Sequence, residues 1–211
     1  MIRVMLVDDH AVVREGYRRL IEKHDGLAVV AEAPDGHAAY RIYKDQRPDV
    51  VVLDLSMPGK GGIEVLRRLK QWDGGARVLV FTMHENAAYA VQAFQAGAKG
   101  YITKSSAPEL LISAIRDVAA GKTAISPDVS HALALSRISD EDELLQSLSA
   151  REFDIFRMLA EAKSIDEIAS TLNLSPKTVS NYHYLVKSKL GVSSDIELAR
   201  LAVRLKIVET G

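Results

Sequence analysis

The chain has 211 residues, no cysteine and a formal net charge of −1 at pH 7, with 47% hydrophobic and 26% charged residues. This composition is typical of a folded globular protein and excludes an intrinsically disordered chain. The lack of cysteine excludes disulfide bonds, thiolate zinc sites and cysteine nucleophiles. The first apolar run, Val4–Val7, is too short for a secretory signal or a membrane-spanning helix. We therefore expect a soluble, cytoplasmic protein that does not interact with a membrane.

About the first 125 residues alternate short apolar runs with segments of helical periodicity. The runs do not alternate polar with apolar residues, which indicates strands buried on both faces of a parallel sheet. The predicted strands are Ile2–Val7, Leu27–Ala31, Val50–Leu53, Val78–Phe81 and, more weakly, Gly100–Ile102. The predicted helices are Val12–Lys23, His37–Lys44, Ile63–Gln71, Asn86–Gln95 and Pro108–Ala120. Five successive β-then-α units predict a doubly wound α/β domain with a five-stranded parallel sheet.

The sequence changes character after this region. Residues 126–147 contain one basic residue and five acids, four of them consecutive at Asp140–Glu143, which is typical of a linker. Within it, Val129–Ser136 has the pattern of a short helix that docks on a domain.

The remainder, from Leu148, has helical periodicity throughout. Ser149 and Glu152 have the spacing of a capping box at the start of a first helix. Pro176 occupies the first position of a third helix, and Gly191 ends that helix. The pattern predicts an all-α domain of four helices.

Acidic, hydroxyl and amine side chains follow the predicted strands at their carboxyl ends. Asp8 and Asp9 end the first strand, Asp54 the third and Thr82 the fourth, and Lys104 follows the fifth. These strand ends meet in the functional crevice of an open α/β sheet. Three clustered carboxylates require a cation, and a set of oxygen ligands favours Mg²⁺. Asp54 could then act as a nucleophile towards a phosphoryl group whose oxygens contact Thr82 and Lys104.

These residues also have other interpretations. Any one aspartate could merely cap a helix or begin a turn, but their joint position at strand ends favours phosphoryl chemistry. The Pro58–Gly62 loop lacks the Walker pattern. A phosphatase with an aspartate nucleophile would carry a second aspartate two residues on, where this chain has Ser56. We interpret His10 and His84 as solvent-side residues, with an influence on phosphoryl lifetime as the alternative.

Residues 1 to about 122 resemble the receiver domain of two-component systems. The matching residues are the Asp8–Asp9 pair, Asp54-Leu-Ser-Met-Pro58-Gly, Thr82 and Lys104. The resemblance implies a flavodoxin-like fold and phosphoryl transfer from a sensor histidine kinase to Asp54. It also implies Mg²⁺ held by Asp9, Asp54 and the backbone carbonyl of Ser56, with Asp8 acting through water. The aromatic residue that reports phosphorylation matches Tyr101, which is coupled to Thr82.

The predicted third helix of the second half has a polar, basic character. Segment 175–192 contains three lysines and no acid. A helical wheel places Val179, Tyr182, Val186 and Leu190 on one stripe and Lys177, Asn181, Tyr184 and Ser188 opposite, with Ser180 beside them. Thr178 and Lys189 project to one side of the helix and Lys187 to the other. Such a face suits base edges in a DNA major groove, with phosphates at its sides. An ordinary solvated helix face is the alternative.

Residues 148–206 resemble the LuxR-type DNA-binding domain. The matching motifs are Leu148-Ser-Ala-Arg-Glu152, Ile165-x-x-Ile168-Ala-x-x-Leu172, Ser175-Pro-Lys-Thr-Val-Ser-Asn181 and Val186-x-x-Lys189-Leu-Gly-Val192. The resemblance implies that Ser180, Asn181 and Tyr184 occupy base-reading positions. Ala162 stands where glycine is usual, so we expect that turn to be more helical here.

The whole chain thus resembles a NarL/FixJ-type response regulator. The implied division is a receiver domain at 1–122, a linker at 123–147 and a helix-turn-helix domain at 148–211. We predict a transcription regulator rather than an enzyme, in which phosphorylation shifts dimerisation and DNA binding. Its partners would be a sensor histidine kinase, double-stranded promoter DNA and, when active, a second copy of itself. Two alternatives stay open: a constitutive DNA binder that never accepts a phosphoryl group, and a small phosphatase with Asp54 as nucleophile.

Overall fold

The computed structural model describes residues 1–57, 62–136, 144–145, 147–205 and 207–208. Its sheet has six parallel strands in the order β2-β1-β3-β4-β5-β6. The strands are β1 Ile2–Val7, β2 Leu27–Ala33, β3 Val50–Leu53, β4 Val78–Thr82, β5 Gly100–Thr103 and β6 Ala124–Ile125. This confirms the doubly wound parallel sheet but adds one strand to the five predicted. The extra strand, β6, has only two residues and is too short to give a periodic signal.

Helices cover both faces of the sheet. They are α1 Ala11–Glu22, α2 Gly36–Gln46, α3 Gly62–Trp72, α4 Ala87–Gln95 and α5 Pro108–Ala119. Apolar side chains of α1 and α5 pack on one face, and those of α2, α3 and α4 pack on the other. Alternate residues of β1 show why the strand is apolar throughout: Val4 and Leu6 belong to one layer, Met5 and Val7 to the other. The buried strands thereby bring their carboxyl ends to one edge of the sheet.

The second half of the described chain is helical, as predicted. After α6 (Pro127–Ser136) come α7 Ala150–Ala160, α8 Ile165–Leu172, α9 Pro176–Leu190 and α10 Asp195–Arg204. The capping box at Ser149 and Glu152 is formed, and Gly191 ends α9 in the left-handed conformation at φ 66°. None of the helices among the described residues is long and apolar enough to cross a membrane.

The turn between α7 and α8 differs from the prediction. Ala162 has a φ of 58°, so the turn is left-handed instead of more helical. The Lys163 N–H donates to the Met158 carbonyl at 3.0 Å, and the Ala162 N–H donates to the Leu159 carbonyl at 3.0 Å. This bonding satisfies the last carbonyls of α7 and requires a left-handed residue, a position that favours glycine.

The predicted linker is only partly described. Its helix is present as α6, where Val129 is fully buried and Asp128 accepts a 2.7 Å hydrogen bond from Thr103 of β5. The acidic run Asp140–Glu143 and most of the Pro58–Gly62 loop lie outside the described residues.

The helical part packs against α4 of the α/β part. The rings of Tyr89 on α4 and Phe153 on α7 meet edge to face with centroids 5.0 Å apart. The Gln92 side-chain amide donates to the carbonyls of Leu145 and Leu148 at 3.1 and 2.9 Å. One apolar cluster therefore continues from the sheet into the helical part.

Candidate phosphoryl site and nucleic-acid interface

Lys104 joins two of the aspartates at the carboxyl edge of the sheet. Its Nζ lies 2.6 Å from Asp8 Oδ2 and 2.8 Å from Asp54 Oδ2, and Asp54 is only 3% exposed. Burial disfavours the charged form of Lys104, but its hydrogen bonds to Asp54 and Asp8 outweigh burial and raise its pKa. The amine is therefore protonated at neutral pH and is held directly beside the Asp54 carboxylate.

Asp9 supplies the third carboxylate of this crevice. Its Oδ1 is buried and makes no hydrogen bond, although His10 Nδ1 lies 3.0 Å away. Three carboxylates and one ammonium leave a net charge of about −2, which a divalent cation would balance. The buried, unbonded carboxylate oxygen and the oxygen donors fit a hard cation. The His10 side chain is 66% exposed, in agreement with a solvent-side position.

Hydroxyl groups line the side of the crevice next to Asp54. The Ser56 N–H donates to Asp54 Oδ1 at 3.0 Å, and Ser56 Oγ lies 3.4 Å from both Thr82 Oγ1 and His84 Nε2. Tyr101 is fully buried, and its hydroxyl donates to the His84 carbonyl at 2.8 Å. Residues 82–84 therefore connect the two: Thr82 is the first residue of this segment, and Tyr101 binds its last residue, His84.

His84 is not the solvent-side residue that we predicted. Its ring stacks on Tyr89 with centroids 3.9 Å apart and an interplanar angle of 2°. Burial, and then the positive charge of Arg157, lower the pKa of His84 to about 4, so the ring is neutral at pH 7. Tyr89 in turn contacts Phe153. A continuous series of contacts thus runs from Asp54 through Ser56, His84 and Tyr89 to the helical part, and nothing in the sequence indicated it.

The outer face of α9 carries the residues predicted to read bases. Lys177, Ser180, Asn181 and Tyr184 are all exposed, and Tyr184 is 72% exposed. Opposite them, the side chains of Val179, Val186 and Leu190 are buried. The wheel therefore predicted the orientation of α9 well, because a helix anchored by one apolar stripe must turn its opposite face to solvent.

The side residues of α9 make contacts within the chain. Thr178 Oγ1 lies 2.8 Å from Ser175 Oγ. Lys187 Nζ contacts Asp195 at 3.0 Å, and Lys189 Nζ contacts Glu152 at 2.7 Å. The two carboxylates belong to α10 and α7, so the local excess of positive charge counted along the α9 segment is partly offset in space.

Two family models match this chain. The model described as "Response regulator receiver domain" matches residues 4–116, and "Bacterial regulatory proteins, luxR family" matches residues 146–202. The pocket and the helical part therefore define a response regulator with a LuxR-type DNA-binding domain. The chain belongs to this family of DNA-binding transcription regulators, of the NarL/FixJ kind, and not to an enzyme family.

Individual relatives agree with this assignment. Response regulator UvrY of Escherichia coli is 41% identical over 206 residues, covering 97% of this chain and 94% of UvrY. Response regulator GacA of Pseudomonas aeruginosa is 41% identical over 211 residues, covering 99% of each chain. The structure of Salmonella RcsB bound to promoter P1flhDC with the phosphomimetic BeF3⁻ has a TM-score of 0.75 at 29% identity, covering 98% of this chain and 99% of that chain. A LuxR-family response regulator from Aurantimonas has 56% identity and a TM-score of 0.64, covering 66% of this chain and 99% of that chain.

Proposed function

We propose that Asp54 is the phosphoacceptor of this regulator and that a sensor histidine kinase supplies the phosphoryl group. The observation that carries the proposal is the Lys104 ammonium, held between Asp54 and Asp8 at hydrogen-bond distance. In this position the amine can neutralise charge on the phosphoryl oxygens, and the Thr82 hydroxyl can donate to them from the other side. The carboxylate of Asp54 attacks phosphorus, and the histidine of the kinase leaves.

The residues around Asp54 would hold Mg²⁺ during this transfer. Asp9, Asp54 and the backbone carbonyl of Ser56 would be its ligands, and Asp8 would act through water. The buried, unbonded oxygen of Asp9 and the net charge of the pocket support this assignment. The cation would offset the repulsion between Asp54 and the incoming phosphoryl oxygens.

The DNA contacts that we propose lie on α9. Ser180, Asn181 and Tyr184 would contact base edges, because they are exposed on the outer face. Lys177 would contact DNA from the same outer face. Thr178, Lys187 and Lys189 would contact phosphates at the sides of the helix, and each of the two lysines would exchange a carboxylate of the chain for a phosphate. The active form would be a homodimer on paired half-sites of promoter DNA, acting in the cytoplasm. The domains in this proposal are a receiver domain at 1–122, a linker at 123–147 and a DNA-binding domain at 148–211.

Phosphorylation would reach the DNA-binding part through the contacts of His84. A phosphoryl group on Asp54 that draws the Thr82 hydroxyl towards itself also moves Ser56 and the 82–84 segment. Because His84 stacks on Tyr89, that movement changes the surface on which Phe153 packs. Weaker packing would release the helical part for dimerisation on DNA.

Intact-mass measurement tests the phosphoacceptor. After treatment with acetyl phosphate and Mg²⁺, the unaltered chain should gain one phosphoryl group, an added mass of about 80 Da. Asp54→Asn should gain none, whereas the exposed Asp45→Asn serves as a matched control and should behave like the unaltered chain. A full adduct on Asp54→Asn would refute the assignment. Phosphate release over many turnovers would instead favour the phosphatase alternative.

A further inference from the structure

An open cleft lies between the two parts of the chain, away from the phosphoryl site and from the outer face of α9. Its volume is about 600 Å³, within the range of small-molecule sites. Its walls include Arg67 and Lys70 of α3, Gln95 of α4, Arg151 of α7 and Tyr182 of α9. Three cations therefore face the cleft, two from the α/β part and one from the helical part. None of the described residues that line it is acidic.

The counter-charges of these cations lie behind the cleft walls. The Glu64 carboxylate is only 2% exposed and forms ion pairs with three guanidinium groups. Its oxygens lie 2.8 Å from a nitrogen of Arg67, 2.8 Å from one of Arg68 and 3.9 Å from one of Arg151. The Arg151 Nη1 atom is buried and has no hydrogen-bond partner among the described residues. One carboxylate thus serves three guanidinium groups. Of the three, Arg67 and Arg151 line the cleft.

Two further acids lie near these cations and offset part of their charge. Asp154 is buried on α7, and burial raises its pKa to about 6, so the carboxyl is still mostly ionised at pH 7 and offsets part of the charge of Arg151. Asp73 accepts hydrogen bonds from the Tyr43 hydroxyl and the Gly75 N–H, which lower its pKa, and its carboxylate offsets part of the charge of Lys70. Lys70 meanwhile donates to the carbonyls of Gly74 and Ala76 at 2.6 and 3.0 Å, bonds that hold its ammonium in place but bring it no charge.

We propose that this cleft binds a small polyphosphate anion, such as pyrophosphate or the phosphate chain of a nucleotide. Guanidinium groups bind phosphate through paired hydrogen bonds, and an ammonium adds a point charge. The Gln95 amide and the Tyr182 ring border the same space and could contact the rest of the ligand. Because its cationic walls come from both parts of the chain, a bound anion would favour the docked arrangement over a separated one.

Isothermal titration of the full chain with pyrophosphate, without Mg²⁺ and in an Asp54→Asn background, tests the proposal. We expect saturable binding at one site. Lys70→Gln and Arg67→Gln should each weaken it about tenfold or more, and Lys70→Arg should retain it. The control is Lys122→Gln. The Lys122 side chain is 72% exposed and does not line the cleft, so this variant should leave the affinity unchanged. The single tryptophan, Trp72, lies close in sequence to Lys70 and offers a second readout by fluorescence.

Three results would overturn the proposal. The first is the lack of saturable binding below about 10 mM pyrophosphate. The second is equal weakening by Lys70→Gln and Lys122→Gln, which would mean a general charge effect. The third is a loss of non-specific duplex DNA affinity in Lys70→Gln as large as in Lys189→Ala. That result would assign the cationic wall to DNA phosphates instead of a free anion.

Discussion

Phe153→Leu should loosen the contact between the α/β part and the helical part without unfolding either. Phe153 is fully buried on α7, with its ring edge-on to Tyr89 of α4 at 5.0 Å and near Phe156 at 6.5 Å. Leucine keeps most of the apolar burial but loses the edge-to-face pairing. An aromatic pair contributes about 0.5–1.5 kcal/mol beyond its area, so the separated state should become about 2- to 13-fold more populated.

Amide hydrogen exchange of the intact, unphosphorylated chain measures this change. Exchange in α4 and α7 should accelerate by the same 2- to 13-fold if the two helices are protected by their mutual contact. Phe81→Leu is a matched control, because Phe81 pairs edge-on with Tyr17 at 4.7 Å within the apolar layer of α1 and α5. It should lower overall stability without selective exchange at α4 and α7. Unchanged protection of the α4 amides in Phe153→Leu would refute the role of this aromatic pair in docking. An equal acceleration of α4 and α7 exchange in Phe81→Leu would mean that the effect reflects global stability.

Three further predictions concern DNA reading, pH dependence and a turn. Asn181→Ala should weaken binding to the preferred DNA site by about 1–3 kcal/mol and binding to random DNA little. Lys189→Ala should weaken binding to both kinds of DNA about equally and lower the salt dependence of the affinity by roughly one unit of slope. Binding titrations at several salt concentrations test this, and an equal loss of both affinities in Asn181→Ala would contradict it. Burial raises the pKa of the Asp154 carboxyl to about 6, above its value in the unfolded chain. The folded state therefore binds the proton more tightly than the unfolded state does. The resulting stabilisation is complete below the unfolded pKa and is lost as the pH rises through about 6. Asp154→Asn should remove that pH dependence and raise the free energy of unfolding at pH 7 by on the order of 2 kcal/mol. Urea melts of both proteins from pH 4 to pH 7 test this, and the same change of unfolding free energy with pH in the two proteins would disprove it. Ala162→Gly should raise the free energy of unfolding by about 0.5–1 kcal/mol, because Ala162 has a left-handed φ of 58°. The control Ala160→Gly, at the end of α7, should lower the free energy of unfolding. A loss of stability in both variants would count against strain at residue 162.

The sequence by itself determined most of the elements and which of their faces are apolar. Short continuous apolar runs such as Val50–Leu53, which alternate with segments of helical periodicity, indicate strands covered on both faces. The strand ends then place Asp54 at the edge where Asp8 and Lys104 also arrive. The apolar stripe of α9 likewise determined that Asn181 faces outward. These features were predictable because periodicity and strand ends are local properties, read from neighbouring residues.

Only the tertiary structure decided how the two parts meet. His84 has no local feature that distinguishes a solvent-side ring from one stacked on Tyr89, because its partner lies on a different element. Lys189 is likewise one of three lysines in a segment without acids, and its partner Glu152 is 37 residues away on α7. The sharing of Glu64 among three guanidinium groups depends on α3 and α7 lying side by side. Contacts between elements depend on packing of whole faces, where many weak interactions sum over residues distant in sequence, so no spacing along the chain encodes them.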